Sequence, residues 1–281
     1  MRLRLVAAIL CSMVALSVDA QWVNYPAVGI PRTSDGKPNL SAPTPRTPDG
    51  KPDLSGIWTT DPTPPAEMER LFPFLKTFAV PGDDGRFFSK YFISVFADLR
   101  PEDVPMRPQA AALVKQRAAN FGRETPTAKC LPTGIPMGDL LPVPRRFIQR
   151  PEVMVVLYEG VNPQRLIYTD GRAHPVDPQP AWLGYSIGRW DGNTFVVDTR
   201  GFNERSWLDA VGHPRTEQMH VIERLSRPTF GRMEVEVQLD DPGAYTKPFS
   251  FRYTLTLTPD TDLLETICTE NEKDTSTRPG Q

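Results

Sequence analysis

The spacing of apolar side chains changes character three times along this chain. Residues 5–18 form one short apolar run behind Arg2 and Arg4, and residues 21–53 show no period at all. Residues 67–78 and 86–99 then place apolar side chains at helical spacing; in the second stretch Phe88, Tyr91, Phe92, Val95, Phe96 and Leu99 share one broad face. A third helix is predicted over 109–121, rich in alanine, with Pro108 at its first turn, where a missing N–H costs little. Beyond Cys130 the period becomes two. Segments 146–149, 153–158, 165–168, 185–190, 194–199, 219–225, 233–239, 249–257 and 263–268 read as strands, preceded by a short one opening at Gly56-Ile57-Trp58.

The links between these strands support antiparallel pairing. Asp191-Gly192-Asn193 separates two strand patterns and supplies the positive backbone angles that a tight hairpin needs. Residues 232–239 alternate cleanly, one face apolar and one wet, as in a sheet with one solvated side. The predicted fold class is therefore mainly β (α+β): an antiparallel curved sheet or barrel, with a helical insertion near residues 65–121. The 21–53 stretch holds a duplication, PRTSDGKPNLS at 31–41 and PRTPDGKPDLS at 45–55. Its Asp-Gly pairs demand turns and its prolines forbid a helix or a ladder, so it reads as an extended proline-rich arm, disordered or loosely docked on the domain surface. Residues 54–281 form a single β-rich domain.

The first 20 residues fit a secretory leader, with a basic start, an apolar core too short for a comfortable membrane span, and Val18-Asp19-Ala20 as a small-x-small cleavage site. Export to the periplasm or medium is the expectation, without stable membrane insertion. Removing those residues removes two arginines and one aspartate, leaving 30 basic against 33 acidic residues. With no basic run longer than Arg145-Arg146, nucleic acid is excluded as a partner. The two remaining cysteines, Cys130 and Cys268, are expected to form a disulfide in an oxidising compartment; two separately buried thiols are the alternative.

The phrase TPDGKPDLSGIW at 47–58, the block YTDGR at 168–172, the run WLGYSIGRWDG at 182–192 and the ending CTEN at 268–271 together resemble a large family of exported bacterial proteins. That resemblance implies export and a single domain, and no settled activity comes with it. Gly56-Ile57-Trp58 also resembles the Gly-x-Trp signature of the first lipocalin strand, which implies a calycin-like barrel with a ligand space inside. The helical segments after Trp58 depart from that family's direct run of strands.

All three histidines, His174, His213 and His220, fall within 47 residues that also carry Trp182, Trp190 and Trp207. Chemistry is expected there. His174 stands on a proline-bounded loop between Asp170 and Asp177, either of which would fix its tautomer and leave the other ring nitrogen as a base; a surface histidine beside solvated aspartates is the bland alternative. His213 lies in a loop, and Glu223 shares a strand face with Met219, Val221 and Leu225. Tyr185, His213 or Glu223 would serve as proton donor, though for Glu223 an ion pair with an arginine from another strand is the favoured reading. The tryptophans would supply stacking walls for an aromatic, steroid-like or sugar-like ligand. His213 and His220 are seven apart and would face opposite sides of one strand, so no metal is assigned. Ser186, in a formal Gly-x-Ser-x-Gly, lacks the strand-to-helix context of an esterase elbow, and no phosphate-cradling glycine loop calls for a nucleotide cofactor. The expectation is an exported lyase, isomerase or hydrolase acting on a small organic molecule by acid–base chemistry. The alternatives are a non-catalytic lipocalin-like carrier and an adaptor whose proline arm docks to a protein partner.

Overall fold

The computed structural model describes residues 27–74, 88–120, 123–160 and 162–268. The leader at 1–20, part of the 67–78 and 86–99 patterns, and Thr269-Glu270-Asn271 lie outside them. Nine strands close into one barrel: β1 (Gly56–Thr60), β2 (Arg145–Gln149), β3 (Val153–Tyr158), β4 (Arg165–Tyr168), β5 (Tyr185–Asp191), β6 (Thr194–Arg200), β7 (His220–Thr229), β8 (Arg232–Asp240) and β9 (Phe249–Leu257). They neighbour one another in chain order, and β9 pairs back onto β1 through Trp58↔Leu257. The fold is mainly β and lipocalin-like in its closure. It departs from a purely antiparallel sheet at one place, where β4 and β5 run parallel. A parallel pair cannot be joined by a hairpin, so residues 169–184 make a long crossing connection over the barrel wall.

Alternation decides what fills the barrel. In β8, Met233, Val235, Val237 and Leu239 are buried while Glu234 and Gln238 between them are wet. Phe147, Met154, Val156, Ile167, Phe195, Val221, Leu225, Phe251 and Leu255 point inward from the other strands and join one continuous core. The lumen that remains measures about 10 Å³, the size of one water. Among the described residues this barrel is packed, with no ligand-sized chamber inside.

The helices α1 (Pro65–Leu71), α2 (Lys90–Ile93), α3 (Pro108–Ala119) and α4 (Met137–Leu140) lie between β1 and β2, where the helical insertion was expected. The 86–99 pattern yields only α2, and the hydrogen bonds give the reason. The carbonyls of Phe92 and Ile93 accept the N–H groups of Ala210 and Val211 at 2.9 and 3.1 Å, and the Val95 N–H donates to Asp209 at 2.8 Å. Groups that would extend the helix are taken by the chain near Asp209, while Tyr91, Val95 and Phe96 still bury their side chains. The predicted strand at 263–268 is absent; the chain leaves the barrel after β9, with Leu264 and Ile267 exposed. Among the described residues no helix is long and apolar enough to cross a membrane.

The described part of the arm, residues 27–53, is docked on the domain by hydrogen bonds. Its duplicated sequence builds the same loop twice: the Thr33 N–H donates to the Lys37 carbonyl, and the Thr47 N–H to that of Lys51, each at 2.9 Å. Prolines remove donors but leave carbonyls. Those of Leu40 and Ala42 accept the N–H groups of Gly231 and Phe230 at 2.8 Å, so the arm pairs with the β7–β8 turn. A side chain at Gly231 would place its Cβ 2.4 Å from the Cβ of Leu40, which is why this turn carries glycine. Cys130 and Cys268 form a disulfide, with Cα atoms 5.5 Å apart and 138 positions between them in sequence. On the loop-closure argument it removes ~5 kcal/mol of unfolded-chain entropy.

Trp58 closes the arm end of the barrel. It is fully buried, donates its indole N–H to the Leu54 carbonyl at 3.0 Å and lies under the Arg227 guanidinium at 4.8 Å. Arg227 in turn donates to the carbonyls of Asp53 and Phe230, linking arm, β1 and the β7–β8 turn. Trp58→Ala should lower unfolding free energy by ~3 to 5 kcal/mol, the range for deleting a large buried aromatic, measured by denaturant titration. A loss under ~1 kcal/mol would mean that the barrel end does not depend on this ring.

Candidate active site

The candidate site lies on the outside of the barrel. Because β6 turns Phe195, Val197 and Thr199 inward, it presents Asp198 and Arg200 outward, and β7 begins beside them with His220. The connection 169–184 folds over this wall and brings His174 down onto it. His174 Nε2 and His220 Nε2 lie 2.8 and 2.9 Å from the same oxygen, Asp198 Oδ1. Arg200 Nε stands 3.5 Å from that oxygen. A carboxylate oxygen has two lone pairs, so both N–H groups can donate to it.

That assignment fixes the other ring nitrogen. With Nε2 carrying the proton, Nδ1 of neutral His174 holds a bare lone pair, and this atom is buried with no hydrogen-bond partner among the described residues. Burial would raise the Asp198 carboxyl, but the charge of His220 and the N–H groups of His174 and His220 outweigh it and hold it below the usual carboxylate range. A carboxylate so depressed contributes stability above its unfolded value of ~3.9, and this is lost as pH falls through the folded value. The Tyr185 ring stands edge-on to His174 at 6.0 Å and stacks on Tyr168 at 5.3 Å. Arg172 covers Tyr168 at 3.8 Å and donates to the Tyr185 hydroxyl at 3.3 Å.

The residues singled out in the sequence divide into groups. His174 and Tyr185 lie beside each other. Asp170 does not orient the imidazole: it pairs with Arg172 at 2.5 Å, and Asp177 is exposed further along the connection. The orienting carboxylate is Asp198, which strand alternation alone marks only as an ordinary wet position. The stretches near 181 and 202 share a rim, since the Ala181 N–H donates to Gly201 and the Asn203 N–H to Ala181, both at 2.9 Å.

His213 turns away from that rim. It is buried, its Nδ1 lies 2.6 Å from Asp209 and its ring packs edge-on against Phe96, so it clips the 209–213 turn to the chain after α2. The three tryptophans form no common wall. Trp190 packs on Phe195, Trp182 under Arg205 and buried Trp207 under Arg117. Stacking surface at the histidines comes from Tyr168 and Tyr185 instead.

Glu223 faces the lumen in a buried ionic network. Both of its oxygens accept from Arg165, which also donates to Ser186 at 3.1 Å and Thr199 at 3.0 Å. Asp139, carried into the barrel mouth by α4, lies 3.6 Å from Arg165 and accepts from the Tyr158 hydroxyl at 3.0 Å. Burial opposes the Arg165 charge, but Glu223, Tyr158 and Asp139 outweigh it and raise its pKa. Burial, with Asp139 close by, pushes the Tyr158 and Tyr253 hydroxyls well above their ordinary range. The ion-pair reading of Glu223 thus has its arginine.

Open grooves of about 490 and 590 Å³ run between the arm and the β1–β2 edge and across the outer face of β7–β9, but neither includes a histidine. The grooves and the histidine cluster therefore lie apart on this molecule, and the candidate site is placed at the histidines. Among the described residues no group of three or more His, Cys, Asp or Glu side chains is arranged to hold a metal ion. Comparison with family models, with curated proteins and with solved structures gives no match.

Breaking the lumen pair should be costly while replacing it whole should not. Arg165→Met leaves Glu223 buried without its partner and is expected to destabilise by ~3 to 5 kcal/mol. Adding Glu223→Leu should recover most of that loss, read from the same denaturant titrations. No recovery in the double variant would show that the network carries more than charge compensation.

Proposed function

We propose that this chain is an exported acid–base enzyme whose base is Nδ1 of His174 and whose substrate is a small organic molecule with a flat face. One observation carries the reading: Asp198 accepts from Nε2–H of His174, and Nδ1 of that ring is buried and unpartnered among the described residues. Asp198 would stabilise the imidazolium formed when His174 accepts a proton at Nδ1, and His220, entering the cycle as imidazolium with its Nε2–H on the same oxygen, would give the proton of its Nδ1–H to a neighbouring atom of the substrate; proton exchange with solvent would then return both rings to their starting states. Two imidazoles sharing one carboxylate suit proton abstraction and return, so a lyase or isomerase is favoured over a hydrolase. Tyr168 and Tyr185 would stack on the substrate, and Arg172 and Arg200 would offset negative charge developing on it.

Nδ1 is buried, so substrate entry requires a local movement that uncovers it while Nε2–H stays on Asp198. Gly171, at φ +81° and with open space around its Cβ direction, is the natural hinge. Carriage in the lipocalin manner draws less support, since the lumen retains about 10 Å³ against the ~300 to 1,000 Å³ of ligand pockets. The disulfide and the leader-like 1–20 segment support export, in keeping with the family resemblance of the TPDGKPDLSGIW phrase.

The test is mass spectrometry of small molecules that copurify with the protein, or that it retains from a panel of aromatic, steroid and sugar compounds, followed by incubation with each. The parent should generate a new product, and His174→Ala should lose ~10² to 10⁴ in rate with little change in melting temperature. A retained compound that stays unchanged would assign the protein to ligand carriage. Equal turnover by His174→Ala would remove the base from this position.

A further inference from the structure

The lumen contains one cation that the ionic network does not satisfy. Arg145, on β2 between Trp58 and Tyr158 in register, points inward and is 1% exposed. Its Nη2 donates to the Thr60 hydroxyl at 2.7 Å, and that hydroxyl already donates to the Asp139 carbonyl at 2.7 Å. Its Nη1 is buried and has no hydrogen-bond partner among the described residues. The two carboxylates of the lumen are committed elsewhere: Glu223 accepts twice from Arg165, while Asp139 accepts from Tyr158 and faces Arg165. Among the described residues, no carboxylate forms an ion pair with Arg145. A buried guanidinium without a counter-charge is among the most costly arrangements a core can hold, and Nη1 adds an unmet donor to that cost.

Arg145 lines the residual lumen cavity of about 10 Å³ together with Tyr158, Arg165, Glu223 and Tyr253. Tyr253 stays protonated, because burial and the nearby Asp139 hold its hydroxyl well above the ordinary range, so it remains a second potential donor. A guanidinium N–H and a phenol O–H around so small a space select a compact, negatively charged acceptor, a single atom in preference to a polyatomic group. We propose that the barrel lumen binds a small monoanion of halide size at Nη1 of Arg145, with chloride the natural occupant in an exported protein. The anion would supply the counter-charge that Arg145 lacks, as a structural ligand independent of the outer-wall site.

The experiment is thermal unfolding of the mature protein in sodium gluconate, chloride, bromide, formate and sulfate at matched ionic strength. Chloride and bromide should raise the melting temperature saturably, by ~2 °C or more over gluconate, as expected for a ligand that binds only the folded state. Bromide ordinarily weakens folded proteins relative to chloride and sulfate, so a saturable rise with bromide cannot come from general salt action. Arg145→Met should abolish the halide response while remaining folded, because an apolar side chain of similar volume removes the uncompensated charge. Tyr253→Phe, which keeps the ring in the core, should weaken the response without abolishing it. Equal melting temperatures in all five salts, or an unchanged halide response in both variants, would overturn the proposal. A larger rise with formate than with either halide would also overturn it, by assigning the lumen to a carboxylate.

Discussion

Closure of the sheet through the pairing of β9 with β1 is the constraint on which the rest depends. Once Trp58 pairs with Leu257 and Gly56 with Phe147, no edge remains for a further strand, and every inward side chain must fit one shared interior. Large residues from all nine strands meet there, and the lumen shrinks to the volume of a water. Polar groups in that interior must satisfy one another. Arg165 gathers Glu223, Ser186 and Thr199 around one guanidinium, and α4 brings Asp139 and the barrel mouth into the same network.

A filled lumen moves any chemistry on larger molecules to the outside of the wall. The parallel β4–β5 pair is what makes such a site available. Its crossing connection places a proline-bounded segment over the outward faces of β5, β6 and β7, and so delivers His174 to a carboxylate on a strand it does not adjoin in sequence. A two-residue hairpin at this point would have left Asp198 with His220 alone. Rigidity matters as much as proximity here. Pro178 packs against Gly201, where an added Cβ would come within 2.7 Å of its ring, and Ala181 bridges to Phe202, so the connection is anchored at its far end.

Strand positions were legible in the sequence because alternation of side chains is local, and eight of the nine segments beyond Cys130 formed strands near the expected bounds. The 263–268 segment shows the same alternation in letters but has no partner strand once β9 has closed onto β1. The 86–99 pattern failed for the opposite reason: its apolar face is buried as the spacing implies, but main-chain partners near Asp209 interrupt the helix. His174 stood out in the sequence through its proline-bounded loop setting, and Tyr185 as the first residue of the strand that follows. Asp198 was not, because its role depends on the register of β6 against β7 and on the path of a connection across the sheet. Glu223 was legible as a carboxyl in an apolar row, though only the fold supplies Arg165 on the facing side of the barrel.

The state of one nitrogen tests the account most directly. Nuclear magnetic resonance of protein labelled with ¹⁵N at histidine, at mildly alkaline pH, reports which ring nitrogens carry protons and which hold lone pairs. If Asp198 orients the ring as described, His174 shows a protonated Nε2 and a bare Nδ1, and Asp198→Ala scrambles that preference. A proton on Nδ1 of His174 in the parent, with Nε2 bare, would contradict the assignment of this histidine as the base.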